Sequence, residues 1–118
     1  MKNTTTLKKL SRVVDLILDR ELSALSEISI KGEAIEAEIR NLDTALLALN
    51  RQTSERDQTE LSVHNFAWQD WRRKTKIALN VKLATIKADK EIQLAITRKA
   101  FGRAQVIETV ASKPRGQH

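Results

Sequence analysis

A chain of 118 residues with three Gly, one Pro, no Tyr and only two Trp and two Phe lacks the turn formers and ring-bearing side chains of a compact globule, whereas long helices need neither. Its 41% hydrophobic and 31% charged content separates it from disordered chains, and the absence of Cys excludes disulfides, thiolate metal sites and cysteine nucleophiles. The net charge of +6 resides in the second half: residues 1–57 hold nine Lys or Arg against ten Asp or Glu, and residues 58–118 hold twelve against five.

The N-terminus enters an amphipathic stretch in which Lys8, Lys9, Arg12 and Asp15 break every apolar run, which reads neither as a signal peptide nor as a membrane span. A cytoplasmic location is the expectation. From Leu7 the chain follows a heptad. Leu7, Val14, Ile28, Ile35, Leu42 and Leu49 fall in one column with Glu21 as its exception; Leu18, Leu25, Ile39 and Leu46 fall in the other, interrupted by Ser11 and Gly32. Ten of these thirteen positions are apolar, a sustained coiled-coil pattern that predicts a helix over about 5–51. Leu10, Ile17 and Leu22 widen the stripe near its start, as for a helix with more than one neighbour.

Between Asn50 and Thr59 no residue is apolar, and Thr53 or Ser54 has the chemistry of an N-cap, with Asp57 completing a weak capping box after Ser54. The chain is predicted to reverse over about 52–58. A single continuous rod is the alternative, because no Gly or Pro marks the turn.

A second helix is predicted over about 59–111. Leu61, Trp68, Trp71, Ala78, Leu79, Leu83, Ile86, Leu94, Ala100, Phe101, Ala104, Ile107 and Val110 follow one another mostly by three or four residues, but the phase drifts. Val81, Ile92, Ile96 and Val106 lie off any single stripe, as in a helix with a stutter or with two apolar faces. The second face is a candidate binding surface. The tail 112–118, with Pro114 and Gly116, is read as a flexible basic end. The expected fold is therefore all-α, a single long two-helix antiparallel coiled-coil hairpin over residues 1–111.

Chemistry-bearing constellations are sparse. His64 and His118 are separated, with no Cys to join them, and no metal or cofactor is expected. Glu33, Glu36 and Glu38 read as a solvated face of a slender rod, without the enclosed pocket that catalytic carboxylates require. The chain is expected not to be an enzyme. Glu21, charged at a seam position, fixes register if a cation meets it; a turn centred near residue 55 puts it opposite Asp89 and Lys90. Gly32 in the seam lets the partner helix come close or accept a large side chain. Phe66, Trp68 and Trp71 cluster within six residues, and two Trp at i and i+3 cannot both be covered in a two-helix hairpin. Partly buried aromatics of this kind anchor protein interfaces. Arg72, Arg73, Lys74 and Lys76 follow at once, and Arg98, Lys99 and Arg103 come later. Cations beside rings suit an acidic protein surface, or phosphates and stacked bases.

The heptads from Leu7, the polar break, Trp68-Gln69-Asp70-Trp71-Arg72-Arg73 opening the second helix and Arg98-Lys99-Ala100-Phe101-Gly102-Arg103-Ala104 together resemble the flagellar and type III secretion export stalk family, the FliJ type and its virulence-system counterparts. The resemblance covers nearly the whole chain. It implies a helical hairpin similar to the stalk of rotary ATPases, a place at the centre of a hexameric export ATPase and contact with an export gate protein. Two other classes fit the pattern: a nucleic-acid-binding coiled coil, and a structural or phage-type filament component.

Overall fold

A computed structural model describes the backbone of residues 2–55 and 61–112 and the side chains of residues 4–51 and 65–112. The described chain is entirely helical, with α1 at Lys2–Glu55 and α2 at Leu61–Ser112. It divides into two compact units, one of Met1–Ser29 with Asp89–His118 and one of Ile30–Ala88. In the second unit Asp43 meets Arg72 and Lys76, and Gly32 lies against Ile86. Contacts thus advance along α2 as they recede along α1, so the two helices are antiparallel. In the first unit Glu21 meets Gln93 and Thr97. These contacts give a two-helix hairpin and set the continuous rod aside.

The α1 seam follows the heptad. All thirteen positions from Leu7 to Leu49, including Ser11, Glu21 and Gly32, are at least partly covered. Apolar residues at alternating steps of three and four must share one side of a helix, and that side is the one α2 occupies.

The boundaries differ from expectation. α1 continues through Thr53 and Ser54 to Glu55, so neither residue opens the second helix; α2 begins at Leu61, and residues 56–60, Asp57 among them, lie outside the described residues. Extending an existing helix costs little per residue, and a polar run without Gly or Pro contains nothing to stop it. The longer α1 moves the midpoint of the reversal from near 55 to residue 58, halfway between Glu55 and Leu61. The register moves with it. Glu21 therefore faces Gln93 and Thr97 rather than Lys90, which is exposed and makes no ion pair with any described residue. The predicted tail falls, from residue 113 on, outside the described residues.

α2 packs through a column that hydropathy alone does not reveal. Arg72, Leu79, Ile86, Gln93, Ala100 and Ile107 recur every seven residues and are all covered. The companion column slips by one residue. Trp68 lies four residues before Arg72 and Thr75 three after it, whereas Leu83, Thr97 and Ala104 each follow their neighbour in the first column by four. That slip is the stutter behind the drifting phase. Among the described residues only Leu79, Thr97, Ala100 and Ala104 are buried, and no large side chain is wholly enclosed. Two helices bury one stripe each, and the remaining apolar residues stay outside.

Candidate protein-interaction surfaces

Three polar constellations and two apolar grooves stand out. At the seam of the first unit, Gln93 Nε2 donates to Glu21 Oε2 at 2.6 Å and approaches the Glu21 carbonyl oxygen at 3.2 Å. Thr97 Oγ1 donates to the Gln93 carbonyl at 2.8 Å and lies 3.3 Å from the Glu21 carbonyl oxygen. The Glu21 side chain retains 14% of its exposure, with Arg20 3.4 Å away on the solvent side. A charged seam residue is satisfied here by an amide. A lone polar contact among apolar layers favours one register over its neighbours.

In the second unit Asp43 Oδ1 accepts from Lys76 Nζ at 2.9 Å and from the Arg72 guanidinium at 3.2 Å. Arg72 belongs to the covered column, its side chain only 16% exposed, and its Nε is buried without a hydrogen-bond partner among the described residues. On the outer side of α2, Asp70 binds Arg73 and Lys74, each at 2.9 Å, three and four residues further on. Lys74 first and Arg73 second hold the Asp70 carboxyl below its ordinary pKa of 3.8. The cationic cluster after the aromatics is therefore engaged within the chain: Arg72 and Lys76 point inward to α1, and Arg73 and Lys74 lie along α2. Arg98, Lys99 and Arg103 are exposed and make no ion pair with any described residue.

The ring cluster divides. Phe66 is 77% exposed and Trp71 is more than half exposed, while Trp68 is partly covered in the seam, as expected of two Trp at i and i+3. Val81, Ile92, Ile96 and Val106 are all exposed. The off-stripe residues are thus uncovered in each unit, Val81 in the second and Ile92, Ile96 and Val106 in the first, and Phe101 and Val110, expected in the seam, are exposed as well. On α1 the widening residues Leu10, Ile17 and Leu22 likewise remain uncovered.

The two grooves lie in the first unit. One runs along α1 between Val13, Leu16, Ile17 and Arg20. The other lies between the helices, lined by Val14, Lys99, Gly102, Arg103, Val106 and Ile107. The two helical glycines are not equivalent. A Cβ on Gly32 would meet Ile86 Cγ2 at 3.4 Å, so Gly32 fits the close approach expected of it; a Cβ on Gly102 would meet nothing within 4 Å. Each costs about 1 kcal/mol of helix propensity relative to Ala, and only at Gly32 does a neighbour in the chain, Ile86, stand within contact distance of the missing side chain.

No described helix is long and apolar enough to cross a membrane, and no three His, Cys, Asp or Glu among the described residues are grouped to hold a metal ion. The side chains of His64 and His118 lie outside the described residues. Sequence reading missed Asp43, Gln93 and Thr97. The signal was present in the seven-residue spacing of Arg72, Leu79, Ile86 and Gln93, which becomes visible once polar residues are admitted to the seam. Comparison with protein-family models, with curated proteins and with solved structures found no match.

Proposed function

We propose that the chain is a non-enzymatic coiled-coil adaptor or stalk that works by binding protein partners, and that its partner is the hexameric ATPase of a flagellar or type III export system. The observation that carries the binding role is apolar exposure within each unit. Ile77 and Val81 in one, and Ile92, Ile96 and Val106 in the other, are large residues on α2 that its pairing with α1 leaves uncovered. Burying one such side chain is worth about 1.5–3 kcal/mol, so several together supply the affinity of an interface. The export-system assignment is supported by the sequence resemblance and by the hairpin, which is the fold that resemblance implies.

A nucleic-acid role draws less support. Four cations beside the rings are already engaged by Asp43 and Asp70, and only part of the positive charge is left for phosphates. The test is titration of the purified chain against the export ATPase of the same organism. Binding that weakens tenfold or more when Arg98, Lys99 and Arg103 are changed to Glu supports the stalk role. Absence of binding by the unaltered chain, or steeply salt-dependent retention on DNA or RNA in its place, overturns it.

A further inference from the structure

We infer that the groove at Gly102 receives an acidic amphipathic helix of a different protein, an assignment that rests on reading the chain as a protein-binding adaptor. Three observations converge on one occupant. The floor is apolar, built by Val14 of α1 and by Val106 and Ile107 of α2. Its polar side chains are both cations, Lys99 and Arg103, one helical turn apart and free of ion pairs with any described residue. Its lining includes a glycine whose missing side chain leaves open space, since a Cβ on Gly102 meets nothing within 4 Å. A glycine in mid-helix with no internal neighbour to accommodate is suited to the close approach of an external backbone.

Among the described residues the chain supplies no acidic occupant: the exposed stripe of Val13, Leu16 and Ile17 on α1 is flanked by Arg12 and Arg20 as well as by Asp15 and Asp19. A second copy presenting the same groove would set Lys99 and Arg103 against their own images, and like charges brought together oppose association. The acidic stretch from Glu27 to Asp43 places Ile28, Ile35, Ile39 and Leu42 in the seam and leaves Ile30 as its exposed large hydrophobic. An anionic bilayer would match the charge as well, and the vesicle arm of the experiment decides between the two. The occupant that fits both the apolar lining and the two cations is a helix with apolar residues at i, i+3, i+4 and i+7 and Asp or Glu beside them, lying in the groove with its carboxylates against Lys99 and Arg103.

The experiment uses the full chain and two fluorescein-labelled synthetic helices that share one Leu stripe, one flanked by Glu and the other by Lys, with binding read by fluorescence anisotropy. The expected result is at least tenfold tighter binding of the Glu-flanked helix. Gly102→Leu is expected to weaken it tenfold or more, and Lys99→Glu with Arg103→Glu to reverse the preference. Gly102→Ala separates binding from folding: it raises the melting temperature by a few degrees through helix propensity while weakening the peptide. Equal affinity for both peptides, or unchanged affinity in the Gly102 variants, overturns the inference. So does a preference for phosphatidylglycerol vesicles over the Glu-flanked helix. Lys99 and Arg103 enter both experiments, and Gly102→Leu separates them: a chain that binds the ATPase undiminished with Gly102→Leu in place keeps the stalk role without the groove, and one that binds the peptide but not the ATPase keeps the groove without the stalk role.

Discussion

Gln93→Leu tests the register and the polar seam together. The substitution removes the 2.6 Å bond to Glu21 and leaves a carboxylate that is 14% exposed, with Arg20 3.4 Å away as its remaining charged neighbour. A hydrogen bond to a charged group contributes about 1.5–3 kcal/mol, and the residual access to water together with the added apolar burial of Leu reduces the net loss to about 1.5 kcal/mol. For a chain of this size that corresponds to a fall of about 6 °C in melting temperature. Replacing both partners, Glu21→Leu with Gln93→Leu, removes the stranded charge and fills two seam positions, so the double variant returns to within about 1 kcal/mol of the parent or exceeds it. The assay is urea unfolding followed by circular dichroism at 222 nm on the parent, both single variants and the double. Coupling of about 1.5 kcal/mol is expected. Additive single effects, within about 0.5 kcal/mol, would refute the polar-seam argument. Lys90→Ala is the control, because an exposed, unpaired lysine changes stability by no more than about 0.5 kcal/mol, and a loss above about 1 kcal/mol would restore the earlier register.

The two glycines should respond alike to a methyl and differently to a larger group: Ala at either position stabilises by about 1 kcal/mol, since at Gly32 the added methyl meets Ile86 Cγ2 at 3.4 Å, an ordinary contact. Gly32→Val, which crowds Ile86 further, should cost about 2 kcal/mol in the same urea experiment. Asp43→Asn deprives Lys76 and the largely covered Arg72 of their shared carboxylate and should cost about 1 kcal/mol, a loss that shrinks as salt rises from 0.1 to 1 M. Asp70 titrates below the ordinary 3.8, so its ion pairs contribute fully above that value and are lost as pH falls through the lowered pKa. Carboxyl NMR should locate that midpoint below 3.8, and a midpoint at or above it would contradict the pairing with Lys74 and Arg73.

The α1 seam was legible in the sequence because apolar periodicity reports burial wherever the covered residues are themselves apolar. Even its three exceptions, Ser11, Glu21 and Gly32, could be placed, since a column is fixed by its majority. The α2 seam was not legible by that rule. It buries Arg72, Thr75, Gln93 and Thr97 and exposes Trp71, Phe101 and Val110, so hydropathy points partly to the wrong side. The turn was misplaced for a related reason: a polar run signals that nothing packs there, and a helix can be polar and continue. That error carried into the register and moved the partner of Glu21 from Lys90 to Gln93. The cation cluster was found, but its engagement was hidden, because Asp43 lies twenty-nine residues before Arg72 and the contact exists only after folding.

The unequal seams also bear on where a partner should dock. A helix with one apolar stripe spends it on its neighbour, as α1 does from Leu25 to Leu49 apart from Ile30 and Leu47. α2 instead meets α1 through a mixed column in which Arg72 and Gln93 are satisfied by Asp43 and Glu21, while Val81, Ile92 and Val106 are kept outside. Turning α2 about its axis would bury those residues, but it would expose Leu79, Ile86, Ala100 and Ile107 in exchange and break the contacts of Glu21 and Asp43. The covered column as a whole, apolar and polar members together, therefore holds the apolar side of α2 outward. A Glu21→Leu and Gln93→Leu chain, which adds two apolar residues to the seam, should keep its affinity for the Glu-flanked helix within about twofold while its stability changes. Anisotropy on that double variant measures it, and a tenfold loss of affinity would show that the polar pair, rather than the column, fixes which side faces outward.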